Sequence, residues 1–169
     1  MNSRSKKADR NLRVLRLWTF EQATKALPYI SSLARSLREK WLEANRARAH
    51  AEKLAAASGR PKRDAILAQN LANKEKDLAE EDLFSVIQEL ESIDAYCLDP
   101  VNGLILMPFR QEEELAWFVF DLFKPGEPLQ WRFHKDDLGL RRPITPEIQN
   151  PPPTPEKPMP EKPTPEKAE

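Results

Sequence analysis

The stretch from Thr19 to Ile93 constrains the fold most, because it contains two long runs of helical periodicity with a single interruption. The interruption reads SGRP at positions 58–61, where a residue that tolerates positive φ precedes one that cannot continue a helix. Each run would form a helix of roughly 30 residues, about 45 Å long at 1.5 Å per residue. We predict an antiparallel helical hairpin over residues 17–95.

The first run begins at Thr19, which forms with Gln22 the sequence pattern of a capping box. Pro28 has no N–H to donate, so we expect a first helical piece to end or kink near Leu27 and a longer helix to start at Pro28. The apolar positions recur in steps of three, four or seven residues, at Leu27, Ile30, Leu33, Leu37, Trp41, Ala44, Ala51 and Leu54. Such steps mark one face of a helix.

The second run has Asp64 as its expected N-cap. We assign to it one apolar stripe, made of Leu67, Leu71, Leu78, Leu83, Ile87, Leu90 and Ile93. Lys74, Glu81 and Asp82 fall on or beside the stripe near its middle, where a simple coiled coil would be apolar. An amphipathic arm of this length protrudes from a small domain, and we expect it to pair with something.

After Ala95 the apolar period becomes two, and short strands are predicted at residues 96–98, 104–107, 115–123 and 130–134, with Pro108 closing the second. They predict a small antiparallel β-meander of three or four strands in residues 96–149, packed on the hairpin base within the same domain. The fold class is therefore α+β. Segment 115–123 (LAWFVFDLF) is apolar on both faces. Its second face would need a cover, so we predict a homodimer formed through the sheet.

The two ends differ from this domain in composition. Residues 1–16 predict a basic flexible arm, and residues 150–169 predict a disordered tail of Pro-Glu-Lys repeats that favours polyproline II. We find no secretory signal pattern and no apolar run long enough to span a membrane. The single cysteine, Cys97, suits a reducing compartment, so we expect a cytoplasmic location.

The net charge of zero is a cancellation between two halves. Residues 1–63 contain sixteen Lys and Arg against five Asp and Glu, and residues 64–169 contain eleven against twenty-two. If the helices pack antiparallel, these opposite charges face each other, and complementarity within the chain is the simplest interpretation. The alternative is nucleic-acid binding through the basic half, for which the relevant side chains are Arg35, Arg38, Arg46, Arg48, Arg60, Lys62 and Arg63.

The sequence contains few residues that suit catalysis. The only histidines, His50 and His134, would have to activate Cys97 as a nucleophile, and no pattern typical of an oxyanion hole accompanies them. The four glycines are far apart, which excludes a phosphate-binding loop. We therefore predict no catalytic residues and no cofactor.

A metal site is one alternative. His134, Asp136 and Asp137 cluster where the last predicted strand ends, and such a mixed set could hold a divalent cation. Further carboxylates could come from the end of the second helix, at Glu89, Glu91 and Asp94.

An anion or ligand site is another. The adjacent Arg141 and Arg142 could bind a carboxylate or phosphate, or they could pair with Asp136 and Asp137 just upstream. A small-ligand pocket between the sheet and the helix base would use His134, Asp137 and Arg142.

Several short motifs follow one another between Leu17 and Ile144. They are LWTFEQA at 17–23 with Leu27-Pro28, then Asp99-Pro100, Gly103-Leu104-Ile105, Pro108-Phe109, Gly126-Glu127-Pro128, Trp131, Phe133-His134 and Arg141-Arg142-Pro143-Ile144. In these motifs the chain resembles the bacterial domain of unknown function 2203 family. The resemblance implies the fold outlined above and a bacterial cytoplasmic setting, and it implies no particular activity.

These observations favour a non-enzymatic protein-interaction or adaptor module that acts through the helical hairpin and a dimerising sheet, with an unknown protein partner. One alternative is a small-ligand or metal-binding protein or enzyme with its site around His134, Asp137 and Arg142. The other is nucleic-acid binding through the basic N-terminal half.

Overall fold

A computed structural model describes residues 15–56, 62–124 and 126–150. The elements follow in the order α1 (Phe20–Ala55), α2 (Arg63–Ser92), β1 (Tyr96–Asp99), β2 (Leu104–Gln111), β3 (Glu114–Asp121), β4 (Leu129–Phe133), β5 (Arg142–Pro143) and α3 (Pro146–Gln149). Positions 29, 40 and 48 of α1 lie beside positions 89, 82 and 80 of α2, so the two helices run antiparallel. The predicted hairpin followed by an antiparallel sheet is confirmed. The predicted arm up to residue 14, the break at 58–61 and the tail from residue 151 lie outside the described residues.

Helix α1 begins at the predicted capping box. The Thr19 hydroxyl accepts a hydrogen bond from the Gln22 N–H (3.2 Å), and the Gln22 side chain accepts one from the Thr19 N–H (3.1 Å). The predicted end of a first helical piece near Leu27 and the start of a longer helix at Pro28 are wrong, because α1 continues through Pro28. The alternative of a kink near Leu27 stays a prediction. Pro28 deprives the Thr24 carbonyl of its helical donor, but both residues lie on the exposed side of α1, where water can bond that carbonyl.

Helix α2 begins at Arg63 with Lys62 as its N-cap, and within the described part of the chain Lys62 makes no side-chain capping hydrogen bond. The prediction that Asp64 caps this helix is therefore wrong. Asp64 is the second residue of α2 and lies in its first turn. Its carboxylate there still interacts favourably with the positive end of the helix dipole.

The five strands lie side by side in sequence order, and each neighbouring pair is antiparallel. The predicted meander is thus confirmed, with one strand more than the three or four expected. The additional strand is the two-residue β5, which pairs with β4 through Gln130 opposite Pro143 and Trp131 opposite Arg142. So short a strand carries too few residues to show a period of two in the sequence.

The prediction that Pro108 ends the second strand is wrong, because β2 continues to Gln111 with Pro108 opposite Trp117 of β3. The Pro108 carbonyl accepts a hydrogen bond from the Trp18 N–H (2.7 Å). That carbonyl points to the side of β2 that β1 leaves free beyond Leu106. Because the N–H and C=O of a strand residue point to the same side, the missing N–H of Pro108 removes no bond to β3.

One hydrophobic cluster joins the hairpin base to the inward face of the sheet. Its largest fully buried members include Ile30, Leu37, Leu90, Ile105, Met107 and Phe118. The rings of Phe109 and Phe118 stack with centroids 3.9 Å apart. Each buried side chain of this size stabilises the fold by about 1.5–3 kcal/mol. The cluster therefore fixes the base of α2 relative to the sheet.

Opposite charges face each other along the hairpin, as the charge distribution predicts. Lys40 Nζ lies 2.9 Å from Asp82 Oδ2, and Arg48 Nη2 lies 2.7 Å from Glu80 Oε1. Exposed pairs of this kind contribute little to stability, because water and salt screen the attraction between the charges. Of the helices in the described ranges, none combines the length and apolar character required to cross a membrane.

Candidate interaction surface

Helix α2 has two apolar sides. The side that packs against the core carries the buried or partly buried Ala72, Ala79, Leu83, Val86, Ile87 and Leu90. The other side carries Leu67, Leu71 and Leu78, whose exposed fractions are 57%, 59% and 63%. We call these three residues the leucine row. The row points away from the hairpin contact, so leucines of α2 are available to another polypeptide.

The prediction that one apolar stripe of α2 contains all seven residues assigned to it is wrong, because Leu67, Leu71 and Leu78 are exposed. A helix turns by about 100° per residue, so the step of five from Leu78 to Leu83 moves about 140° around the axis. The steps of four and seven within the leucine row keep those residues on one side. From the sequence, the residues of the leucine row are expected in the hairpin contact. The step of five was the signal that would have separated the two sides.

Small side chains occupy the hairpin contact instead of the leucine row. Ala44 and Ala51 of α1 and Ala72 of α2 are buried. Small side chains allow two helices to approach toward the short end of the usual 8–10 Å range. The hairpin therefore closes without the leucine row, and burying the row in the same contact would force the helices apart.

The charge along α2 changes sign from one end to the other. Lys62 and Arg63 stand at its N-terminal end, and Lys74 lies in the leucine row itself. Asp64 lies beside Arg63, so that end carries a small net positive charge. Acidic residues predominate after Lys74, at Glu75, Asp77, Glu80, Glu81 and Asp82, with Lys76 among them. The row is therefore flanked by positive charge on one end and negative charge on the other.

The outward face of the sheet is largely covered within a single chain. Val119 lies on that face, opposite Leu106 in the pairing, and is 1% exposed. Leu104 and Pro108 on the same face are also buried. The central residues of β3 therefore do not require a second copy for burial. The homodimer formed through the sheet stays a prediction. The need to cover the second face of segment 115–123 no longer supports it, because that face is already largely covered within one chain.

The structure does not gather the predicted metal ligands. His134 Nδ1 accepts a hydrogen bond from Trp117 Nε1 (3.0 Å), and the Asp136 carboxylate accepts one from the Phe133 N–H (2.8 Å). Asp137 is exposed, and its backbone carbonyl accepts a hydrogen bond at a turn. Throughout residues 15–56, 62–124 and 126–150, no three His, Cys, Asp or Glu side chains form a group that could hold a metal ion.

Arg142 pairs with Asp136 through two guanidinium nitrogens. Its guanidinium also lies 5.1 Å from the Trp131 ring centroid and 5.2 Å from that of Phe133. The hydrogen bond from Arg142, with a smaller contribution from the Phe133 N–H, holds the pKa of Asp136 below its ordinary value, although partial burial acts in the opposite direction. Arg142 thus serves an internal ion pair.

Arg141 also pairs within the chain, 3.3 Å from an Asp121 oxygen. The interpretation in which both arginines have internal partners therefore agrees with the structure, although the partner of Arg141 is not the one considered from the sequence.

A groove of about 310 Å³ lies between α1, β4 and β5. Its lining residues are Phe20, Thr24, Leu27, Gly126, Glu127, Pro128, Leu129, Pro143, Ile144 and Gln149. The proposed pocket residues His134, Asp137 and Arg142 do not line this groove.

Cys97 packs against the hydrophobic cluster and is paired with Ile105 in the sheet. Burial, and secondarily the negative charge of Asp99, raises the pKa of its thiol to about 11. A thiol with such a pKa is protonated near neutral pH, and a protonated thiol is a poor nucleophile.

The basic residues considered for nucleic-acid binding are distributed over several environments. Arg48 is paired with Glu80, as described above. Arg38 Nε donates to the Val101 carbonyl (3.0 Å), and its guanidinium lies 5.4 Å from the Phe123 ring centroid. Arg35, Arg46, Lys62 and Arg63 are exposed, and Arg60 lies outside the described residues.

Comparison with known proteins agrees with the order of motifs noted in the sequence. The chain has no match among the curated proteins and none among the solved structures. A family match covers residues 16–144, which is more than half of the 169 residues and includes α1, α2 and the five strands. The chain therefore belongs to the family described as Uncharacterized conserved protein (DUF2203).

Proposed function

We propose that the protein is a non-enzymatic protein-interaction module that binds a helix of another polypeptide along the leucine row of α2. The observation that supports the proposal is the exposure of Leu67, Leu71 and Leu78 on a helix whose other side already closes the hairpin. Amphipathic helices recognise one another through rows of apolar side chains spaced by three and four residues.

The way α2 is held also favours recognition. Leu83 and Leu90 anchor its C-terminal half in the core, and Arg48 and Lys40 pair with its middle from α1. The leucine row is therefore presented on a helix that is already formed before binding. A preformed binding helix loses less conformational entropy on association than a segment that folds on contact.

A comparison of three tagged proteins in the native host tests the proposal. The first is the wild type, and the second carries Leu71→Lys and Leu78→Lys in the leucine row. The third carries Leu138→Lys and Leu140→Lys, a matched control in a loop where the leucines are 63% and 48% exposed. Proteins that co-purify are identified by mass spectrometry, and the binding of each purified candidate is then measured. Circular dichroism verifies that all three proteins are helical to the same extent.

We expect a partner that binds the wild type and the loop control equally. Its Kd should rise at least about tenfold for the row variant, because two apolar contacts are replaced by charges in a desolvated contact. Retention of the same affinity by the row variant would contradict the proposal, and so would a wild type that binds no other protein and no second copy of itself.

A further inference from the structure

We infer that the leucine row of α2 is covered by α2 of a second copy of this chain, in antiparallel orientation, so that two hairpins join through their second helices. This inference rests on the proposed function, because it uses the same surface and names its occupant. It differs from dimerisation through the sheet, since the contact lies on the arm.

The spacing of the row is that of a coiled-coil seam. Leu67, Leu71, Lys74 and Leu78 follow one another in steps of four, three and four residues. A repeat that averages 3.5 residues keeps a seam facing a single partner helix along its length. The same spacing continues to Asp64 before the row and Glu81 after it, so polar residues limit the seam to about 16 Å.

The antiparallel orientation offsets the two Lys74 side chains by about 4.5 Å along the axis. In a parallel, in-register pair, each Lys74 would lie beside its own copy and repel it. In an antiparallel pair centred between positions 72 and 73, Leu67 lies opposite Leu78 of the second copy, and Leu71 lies opposite its Lys74. Long side chains on a helix lean toward its N-terminus. The two Lys74 side chains therefore lean toward each other across the centre of the seam, while their methylene groups pack on Leu71 of the other copy. Their mutual repulsion weakens the seam.

The sign change along α2 makes the helix complementary to a reversed copy of itself. In the same register Arg63 lies level with Asp82 of the second copy along the axis, so the basic end of each helix runs alongside the acidic half of the other. At each end of the seam Asp64 faces Glu81 of the second copy, and the repulsion between these two carboxylates ends the seam there. A surface that fits itself after a twofold rotation is the requirement for a closed dimer. Charge complementarity thus favours a second copy over an unrelated helix.

Four seam positions per copy make a small interface, so we expect a reversible dimer with a Kd in the range of roughly 1–100 µM. Sedimentation equilibrium of the purified full chain between about 5 and 500 µM measures it. Leu71→Lys should raise the Kd at least about tenfold, and Lys74→Leu should lower it about tenfold by completing the apolar seam. Leu138→Lys should leave the Kd unchanged, although Leu138 is as exposed as Leu78 in the monomer. Lys74→Leu retains the helix, so the test does not depend on whether Leu71→Lys folds.

Cysteine cross-linking tests the orientation. In a Cys97→Ser background, a mixture of Leu67→Cys and Leu78→Cys proteins should form a disulfide-linked dimer, because these positions are opposite each other. Neither variant alone should do so, since like positions are about 16 Å apart along the axis. Self-cross-linking of each variant without gain on mixing would indicate a parallel pair and overturn the inference.

The outcomes separate this inference from the proposed function. A wild type that is monomeric at all concentrations, or a dimer unaffected by Leu71→Lys and Lys74→Leu, overturns self-pairing through α2. If in that case another protein still binds and is lost in the Leu71→Lys and Leu78→Lys variant, the proposed function survives with a different occupant. If no binding of either kind depends on the row, both fail.

Discussion

Gly103 lies in the turn just before β2, where a side chain would not fit. It has a φ of +61°, and a Cβ at this position would lie 2.7 Å from the Leu122 Cβ. Its carbonyl accepts a hydrogen bond from the Leu122 N–H (3.4 Å). We expect Gly103→Ala to lower the free energy of unfolding by about 2–3 kcal/mol, because the left-handed conformation and the overlap both disfavour a side chain.

Chemical denaturation measures this effect, and Gly139→Ala is the control. A Cβ on Gly139 would meet no atom within 4 Å, so that change should leave stability within about 0.5 kcal/mol or raise it slightly. Equal effects of the two substitutions would contradict the role assigned to Gly103.

Asp136 should make stability depend on acid pH. Its pKa is lowered chiefly by the hydrogen bond from Arg142. A carboxyl group with a lowered folded-state pKa stabilises the fold at pH values above its unfolded pKa of about 4, and this stabilisation is lost as the pH falls through the lowered value. Asp136→Asn should therefore melt at a lower temperature than the wild type at pH 7, and the difference should shrink toward about pH 2.

The exposed neighbour Asp137 provides the matched control for that experiment. Asp137→Asn should change the melting temperature little at either pH, since its side chain is exposed. A difference for Asp136→Asn that persists unchanged at low pH would show that the ion pair with Arg142 is not its cause.

At the scale of elements, the hairpin depends on small residues between α1 and α2. Ala44 is buried in that contact, one turn from the Lys40–Asp82 ion pair. Ala44→Leu should reduce the free energy of unfolding by about 1–3 kcal/mol, because added volume pushes the helices apart. Ala49→Leu, on the exposed side of the same helix, should stay within about 0.5 kcal/mol of the wild type. Thermal melts followed by far-ultraviolet circular dichroism compare the two, and a larger loss for Ala49→Leu would contradict the assigned contact.

At the scale of the whole molecule, the hairpin base and the sheet share one hydrophobic cluster and should unfold together. Leu90 belongs to α2 and is fully buried in that cluster. Leu90→Ala should cost about 2–5 kcal/mol. The loss should appear equally in the helical signal of far-ultraviolet circular dichroism and in the fluorescence of the sheet tryptophans, such as Trp131. Two separate transitions would show that the hairpin and the sheet are independent units.

The interaction surface was only half predictable. The residues of the leucine row were recognised as an apolar helical set, because a period near 3.6 is a local property of the chain. Helical spacing alone assigns them to the same stripe as Leu83, Ile87 and Leu90, which predicts that they lie in the hairpin contact. The structure assigns that contact to alanines such as Ala44 and Ala72, which permit a closer approach of the helices.

The sequence by itself determined the two long helices, the start of α1 at Thr19, the antiparallel meander and the family, since capping, periodicity and motif order are encoded over short distances. Only the tertiary structure decided which side of α2 meets α1, that β2 runs through Pro108, and that Arg142 binds Asp136. Each of these depends on which groups a distant segment brings alongside, and a local pattern carries no information about that neighbour.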